Sequence, residues 1–175
     1  MMRLLRSWTH PDLSSLDGST LHRRAARAIA LRGENILLLY TAYYQDYSLP
    51  GGGVDSDESV EDGLVRELEE ETGAREIQLL KPFGLYEEYR PWYKPDHDII
   101  HIESHCFVCN VAKELGPTRY ESYEKKNGMT PQWMNIHQAI SHNERIMKDG
   151  KQKGMSMERE TFLLKLIATE LVGHG

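Results

Sequence analysis

Cysteine is scarce in this chain, which has only two, Cys106 and Cys109. The multiple disulfides that hold many small secreted domains together are therefore excluded. The two cysteines lie three residues apart in a predicted strand, so their side chains should point to opposite faces. A zinc site would need ligands from elsewhere in the chain. Two reduced thiols in a cytoplasmic protein are the simpler interpretation.

Long apolar runs and an excess of positive charge are also missing. No stretch approaches the roughly 20 apolar residues that cross a bilayer. The arginines within residues 1–11 precede no apolar segment of the kind that marks a secretory signal. The net charge is −6, whereas proteins that bind duplex nucleic acid present basic patches. We therefore expect a cytoplasmic protein that binds neither a membrane nor duplex nucleic acid.

Internal repeats, low-complexity tracts and long linkers are absent as well. The 175 residues fit one domain, 1–175, in which the first roughly 20 residues are expected to be a peripheral extension. Apolar residues at 24–32 and 35–41 flank a turn and predict a β-hairpin. Further strands are predicted at 76–81, 83–90 and 99–111, a strand end and helix within 133–142, and a helix over 157–172. This alternation predicts an α/β fold, an α/β/α sandwich around a mixed β-sheet.

A triple glycine precedes the most informative segment. Gly51, Gly52 and Gly53 are predicted to form a loop, because glycine is costly inside a regular element. A helix is predicted from about Ser56 to Thr72. Asp55 is its expected N-cap, with Glu58 as the returning partner. Gly73 is expected to end it.

Helical spacing separates the glutamates of this segment. At about 100° per residue, the apolar stripe of the helix consists of Val60, Leu64 and Leu68. Glu71 falls in that stripe, Glu67 lies at its edge one turn earlier, and Glu70 follows on the same side. Glu69 points to solvent. Burying unpaired like charges is unfavourable unless a cation neutralises them, and carboxylate oxygens are the ligands that magnesium prefers.

From Gly52 to Ala74 the chain resembles the Nudix box. The glycines, glutamates and arginine of the box recur here at its spacing: Gly52, Glu58, Arg66, Glu67, Leu68, Glu70, Glu71 and Gly73. Ala74 departs mildly, because a larger aliphatic residue is usual at that position. The resemblance identifies the chain as a member of the Nudix hydrolase family. It implies a Nudix fold with the box as a loop-helix-loop at one side of the sheet.

The resemblance also implies an activity, the hydrolysis of a diphosphate linkage in a nucleoside diphosphate joined to a moiety X. Mg²⁺ is the implied cofactor, with Mn²⁺ as the alternative. Glu67, Glu70 and Glu71 would bind the metal, Glu58 would complete or support the metal site, and Arg66 would orient a box glutamate. X stays open among an ADP-sugar, a nucleoside triphosphate and a dinucleoside polyphosphate. A nucleotide-sensing Nudix module without catalysis is the alternative function, and a homodimer is the assembly to test.

Residues beside and beyond the box are candidates for substrate binding. Gly52 and Gly53 let the backbone approach a ligand closely. Trp92, next to Pro91 in a polar segment, offers a surface on which a nucleobase can stack. Glu103, on the strand 99–111, is the remaining candidate for substrate contact.

The general base is left open between a box glutamate, Glu103, Glu121 and Glu124. Glu103 also belongs to a set that is expected to share one strand face at period two, namely His97, His101, Glu103 and His105. Such a set can suggest zinc. The carboxylate-rich box argues against that alternative, and a face turned to substrate or solvent is favoured.

Overall fold

The computed structural model describes residues 2–149 and 154–172. Its strands are β1 (Leu4–Thr9), β2 (Thr20–Arg32), β3 (Asn35–Thr41), β4 (Asp46–Ser48), β5 (Gly51–Gly53), β6 (Gln78–Pro91), β7 (Ile99–Asn110) and β8 (Met129–Asn135). Its helices are α1 (Val60–Thr72), α2 (Ser122–Asn127), α3 (Ile136–Asp149) and α4 (Met157–Ile167), which continues as a π-helical turn, Ala168–Val172. In these residues no helix combines the length and the apolar character that a bilayer crossing needs.

The sheet is mixed. Its strands follow the order β1-β6-β7-β2-β3-β4, with β5 paired to β2 and β8 paired to β3. β2 and β7 run parallel, whereas β6 and β7 run antiparallel. The predicted hairpin is confirmed, because β2 and β3 are joined by two residues and Gly33 adopts a left-handed φ of 63°. Glycine adopts that conformation without steric cost.

Apolar side chains cover both faces of the sheet. One core packs α4 and α3 on the sheet through Ile29, Tyr86, Cys106, Ile136, Leu163 and Ile167. The other packs α1 on the opposite face through Ala26, Ala28, Leu64, Leu68, Phe107 and Cys109. Cys106 and Cys109 therefore lie in different cores, as their spacing predicts. The α/β/α sandwich around a mixed sheet is confirmed.

Several element boundaries differ from the predicted ones. The two strands expected over 76–81 and 83–90 are one strand, β6, which begins at Gln78 and whose register with β7 shifts around Leu79 and Pro82. These irregularities accommodate a proline that has no N–H to donate. The helix expected within 133–142 extends to Asp149 as α3. β1, β4 and α2 have no counterpart among the predicted elements.

The predicted start of α1 is wrong, whereas its predicted end is confirmed. The helix begins at Val60, and Ser59 is its N-cap, accepting a hydrogen bond from the Asp62 N–H at 3.0 Å. Asp55 does not cap the helix, because the helix begins five residues later, but the Asp55 N–H does donate to Oε1 of Glu58, the partner that was predicted for it. The chain between them makes a separate turn before the helix. Gly73 ends α1 with a φ of 69°, and its N–H donates to the Glu69 carbonyl.

The prediction that Gly51–Gly53 is a loop is wrong, because these residues form the short strand β5 beside β2. Hydrogen bonds to β2 offset the entropy cost on which the prediction depended. The reason for glycine is steric instead. At Gly51, φ is 142° and an added Cβ would lie 1.9 Å from the Ala26 carbonyl oxygen. Only glycine lets β5 lie this close to β2.

Candidate active site

The glutamates of α1 are divided between the sheet and the solvent. Glu71 is 4% exposed and lies in line with the buried Leu64 and Leu68, whereas Glu69 is exposed. Helical periodicity predicts this division. The structure therefore places one glutamate of the box inside the protein and leaves its near neighbour in water.

Glu71 connects α1 to β5. Its Oε1 accepts a hydrogen bond from the Gly51 N–H at 2.8 Å. Burial raises the pKa of Glu71 well above its usual value, and the neighbouring Glu124 carboxyl raises it further, while the Gly51 N–H acts in the opposite direction. Glu124, on α2, is itself buried. Two carboxyl groups therefore meet in a site where a positive charge would stabilise both.

Arg66 organises the other carboxylates of the box. Its Nη2 lies 2.7 Å from Oε1 of Glu58, and its Nη1 lies 3.1 Å from Oε1 of Glu67 and 3.4 Å from Oε2 of Glu70. The hydrogen bonds from Arg66 and then from the Asp55 N–H lower the pKa of Glu58 to about 2. Both oxygens of Glu58 are thus engaged by the protein. This geometry suits Glu58 for holding Arg66 in place.

Gly52 and Gly53 lie directly against this carboxylate group. A Cβ at Gly52 would come within 2.9 Å of the Glu67 carboxyl carbon, and the Gly53 carbonyl accepts a hydrogen bond from Arg66. Burial raises the pKa of Glu67, an effect that Arg66 opposes. The missing side chain at Gly52 therefore leaves Glu67 the room that it occupies.

The donor set fits a hard divalent cation. Glu67 and Glu71 lie one turn apart on α1, and their oxygens are the ligands that Mg²⁺ prefers. Among the described residues no three such side chains converge on one point, and Arg66 engages Glu67 and Glu70. A cation would have to take these oxygens from Arg66. The buried Glu71, with its raised pKa, is the carboxylate that gains most from such an ion.

A cavity of about 340 Å³ opens beside Glu71 and Glu124. β5 forms one wall with its three glycines, and β2 forms the next with Arg23, Ala25 and Arg27. α4 closes the far side with Arg159 and Glu160. Oε1 of Glu160 accepts the Leu49 N–H at 2.9 Å, so α4 is hydrogen-bonded to the segment that enters β5. The cavity therefore draws its walls from distant parts of the chain.

Buried charges line the far end of the cavity. Nη1 of Arg159 lies 2.7 Å from Oε2 of Glu88, and Nε of Arg159 lies 3.5 Å from Glu160. Arg90 donates from Nε to the other Glu88 oxygen at 2.6 Å. Asp46, on β4, is also buried, and burial together with the nearby Glu160 raises its pKa to about 6. This end of the cavity therefore presents charged groups of both signs.

Trp92 lies next to the cavity. It packs against the cluster of Ala25, Ile100 and Ile102, of which Ala25 and Ile102 line the cavity. Its Nε1 donates to Oδ1 of Asp96 at 2.9 Å, and the Arg23 guanidinium lies over its ring at 5.7 Å from the centroid. One face of an anchored indole is thus held at the edge of the cavity.

Glu103 lies on the other face of the sheet. Side chains alternate along β7, and Ile102 lines the cavity, so Glu103 points away from it. His101 and His105 share its face, and His101 Nδ1 lies 2.9 Å from His22 Nδ1. The prediction that His97 shares this strand face is wrong, because His97 precedes β7 and lies 3.2 Å from Asp96. Glu103 shares the alternation of Phe107 and Cys109, so it lies on the sheet face that carries α1 but does not line the cavity.

The two remaining general-base candidates, Glu121 and Glu124, lie at the start of α2 and within it. Glu124 lines the cavity, whereas Glu121 is the N-cap residue and donates its N–H to Oε1 of Glu124 at 2.8 Å. Glu121 is not among the cavity residues. Of the candidates outside the box, only Glu124 reaches the same space as Glu71.

Sequence reasoning missed the charged residues on the sheet and on α4. Arg27 had a local signal, because it interrupts a run of small and apolar residues from Ala25 to Leu31. A charged side chain in such a strand is rarely buried without a partner. Asp46, Arg159 and Glu160 had no such signal, since their neighbours in sequence do not indicate which face of the sheet they approach.

Comparison with known proteins agrees with this geometry. A family model described as NUDIX domain matches residues 21–155. No curated protein matches the chain. The chain is similar in structure to a NUDIX hydrolase from Nitrosomonas europaea, with a TM-score of 0.54 and 16% identity over 77% of this chain and 94% of that chain. It is also similar to a mutator MutT protein from Bacillus halodurans, with a TM-score of 0.53 and 17% identity over 85% of this chain and 83% of that chain.

Proposed function

Because the chain belongs to the NUDIX family and is a Nudix hydrolase, we propose that it cleaves the diphosphate linkage of a nucleotide-like substrate with the help of Mg²⁺ or Mn²⁺. The observation that carries the proposal is the buried Glu71 carboxylate, which lies beside Glu124 at the wall of the cavity. Two adjacent carboxyl groups facing a cavity favour a cation and, through it, a polyanionic substrate.

In this proposal the box residues hold the cation and position one another. Glu67, Glu70 and Glu71 supply the oxygen ligands. Arg66 orients Glu67 and Glu70, and Glu58 fixes Arg66 through two hydrogen bonds. A bound divalent cation would neutralise diphosphate oxygens and lower the pKa of a water molecule. β5 brings backbone close to the diphosphate without side chains in the way.

Glu124 is the residue that we propose as the general base. Hydrolysis adds water to phosphorus and breaks the bond from that phosphorus to the bridging oxygen, so a proton must leave the attacking water. Glu124 lines the cavity next to Glu71. Its carboxylate can accept this proton, whereas Glu103 lies on the opposite face of the sheet and Glu121 caps α2.

Replacing Glu124 with Gln should lower kcat about a hundredfold or more, because general-base catalysis contributes about that much, while KM changes little. Gln retains an oxygen that can accept the Glu121 N–H, so α2 should stay folded. Glu121→Gln is the matched control and should leave kcat nearly unchanged. Steady-state kinetics of both variants provide the measurement. A normal kcat for Glu124→Gln would exclude Glu124 as the base.

Trp92 is proposed as the surface on which the base of the substrate stacks. Trp92→Ala should raise KM about tenfold, since stacking contributes about 1–3 kcal/mol per base, with a smaller effect on kcat. Tyr93→Ala is the control, because the Tyr93 side chain is 80% exposed next to Trp92. Equal KM values for the two variants would show that Trp92 does not bind the base. Circular dichroism checks that both variants fold.

The substrate class is tested with a nucleotide panel. An ADP-sugar, a nucleoside triphosphate and a dinucleoside polyphosphate are each incubated with protein and Mg²⁺, and the products are identified by mass spectrometry. In ¹⁸O-labelled water, one label should appear in a phosphate product, because water attacks phosphorus. Absence of hydrolysis across the panel would contradict the proposal. A single domain over 1–175, a cytoplasmic location and a homodimer stay predictions, to be checked by limited proteolysis, cell fractionation and sedimentation.

A further inference from the structure

Four arginines line the cavity, and they do not have equal environments. Arg90 and Arg159 both contact the Glu88 carboxylate, and Arg159 also contacts Glu160. These two cations are therefore neutralised by the protein itself. Glu88 and Glu160 offset the charges of these two arginines, and the contact of Arg90 Nη2 with Glu88 is an ion pair without hydrogen-bond geometry.

Arg27 differs from both. Within residues 2–149 and 154–172 it has no salt-bridge partner, and its buried Nε donates no hydrogen bond. Burial lowers the pKa of Arg27, and the nearby Arg159 lowers it further, while Glu160, Glu88 and Glu71 act in the opposite direction. Buried donors in folded proteins are almost always paired. An unpaired guanidinium facing a cavity therefore indicates that a ligand completes the pairing.

The position of Arg27 relates it to the carboxylate site. Arg27 lies opposite Gly51 in the register between β2 and β5, and the Gly51 N–H is the group that holds Glu71. Arg27, on β2, and Glu71, on α1, therefore line the same cavity. Arg23, four residues earlier and about 13 Å along β2, lies on the same face beside Trp92.

We infer that Arg27 binds a phosphate group of the substrate, through oxygens that the cation on the box glutamates does not use. A guanidinium presents two parallel N–H donors that match two phosphate oxygens. The inference rests on the proposed function, and it orders the substrate along β2. The base lies at Trp92 and Arg23, and the phosphate lies between Arg27 and the carboxylate of Glu71.

A purely structural role for Arg27 makes a different prediction about stability. If Arg27 served to neutralise Glu160 or Glu88 from a distance, Arg27→Met would destabilise the metal-free protein. If the Arg27 guanidinium is paired only when a ligand is bound, Met removes a charge that has no partner in the ligand-free protein. The melting temperature of that protein then stays level or rises. Arg27→Lys separates charge from geometry, because Lys keeps the charge and loses the planar pair of donors.

The experiment measures binding without hydrolysis. Inorganic pyrophosphate is titrated into metal-free protein by calorimetry, for the unmodified chain, Arg27→Met, Arg27→Lys and Arg32→Met. Arg32 is an exposed arginine on the same strand and serves as the control. We expect Arg27→Met to weaken pyrophosphate binding about tenfold or more, Arg27→Lys to weaken it less, and Arg32→Met to leave it unchanged. The melting temperature of ligand-free Arg27→Met should not fall.

Three results would overturn the inference. Pyrophosphate binding that is equal in Arg27→Met and the unmodified chain would show that Arg27 is not the anion site. No binding by the unmodified chain would show that there is no such site without metal. A melting temperature several degrees lower in Arg27→Met would assign Arg27 a structural role. The measurement involves no turnover, so it tests the anion site separately from the proposed function. If pyrophosphate binding depends on Arg27 in a protein that hydrolyses no nucleotide, the proposed function is wrong but the anion site at Arg27 is supported.

Discussion

Glu71→Gln should lower kcat by about three orders of magnitude, whereas Glu69→Gln should leave it within a few-fold. A metal ion contributes several kcal/mol of transition-state stabilisation, and each 1.36 kcal/mol corresponds to about a tenfold change in rate. Glu71 is buried next to Glu124 and the cavity, while Glu69 is exposed two residues away on the same helix. Exposed substitutions rarely change function or stability strongly. The two variants therefore share helix propensity and differ only in where the side chain lies.

The same pair of variants separates a metal ligand from a structural residue. Gln keeps an oxygen that can accept the Gly51 N–H, and it removes the repulsion between Glu67 and Glu71. The melting temperature of metal-free Glu71→Gln should therefore stay level or rise. Kinetics over a range of Mg²⁺ concentrations and thermal unfolding without metal are the measurements. Equal activity of the two variants would contradict the role of α1 in holding the cation, and unfolding of Glu71→Gln would make Glu71 a structural residue.

Removal of divalent cations should abolish turnover, and Mg²⁺ should restore it. Glu67 and Glu71 lie one turn apart on α1, and burial raises the pKa of both. A proton and a metal ion therefore compete for the Glu71 carboxylate. Ligands must lose their protons to bind a metal, so Mg²⁺ affinity should rise with pH. Activity is measured after treatment with chelator and again after readdition of Mg²⁺ or Mn²⁺.

Thermal unfolding gives an independent measure of the same site. A ligand that binds only the folded state stabilises it by about 2.7 kcal/mol at a hundred times its Kd. Mg²⁺ should therefore raise the melting temperature of the unmodified chain and of Glu69→Gln, and raise that of Glu71→Gln much less. Full turnover in excess chelator, or an equal shift in all three proteins, would refute the metal site.

The carboxylate helix is the part of the site that the amino-acid sequence predicts best. Its apolar stripe assigns Glu71 to the buried side and Glu69 to solvent, and the structure confirms both positions. Local periodicity suffices here, because a helix fixes the direction of each side chain from its neighbours. The start of the helix was less predictable, since Asp55 and Ser59 both have side chains that can cap.

Strand residues were harder to assign, because alternation gives two faces without saying which one meets the cavity. Glu103 and Ile102 are neighbours on β7, and either face could have carried the site. The pairing of β7 with β2 and the position of α4 place the cavity on the face of β7 that carries Ile102. Gly51–Gly53 posed a similar difficulty, since the β2 residues with which they pair lie some way upstream in the chain. Long-range contacts of this kind leave no local pattern.

The hydrogen bond between Leu49 and Glu160 has a consequence for the order in which the protein is made. Translation releases a chain from its N-terminus, and segments begin to fold as they emerge. β2, β5 and α1 therefore emerge before α4 does. Until Glu160 emerges, the Leu49 N–H lacks its carboxylate partner and the cavity lacks the wall that carries Arg159. The glutamates that we propose as cation ligands therefore emerge before the cavity has all its walls, and the cavity is complete only after α4 has emerged.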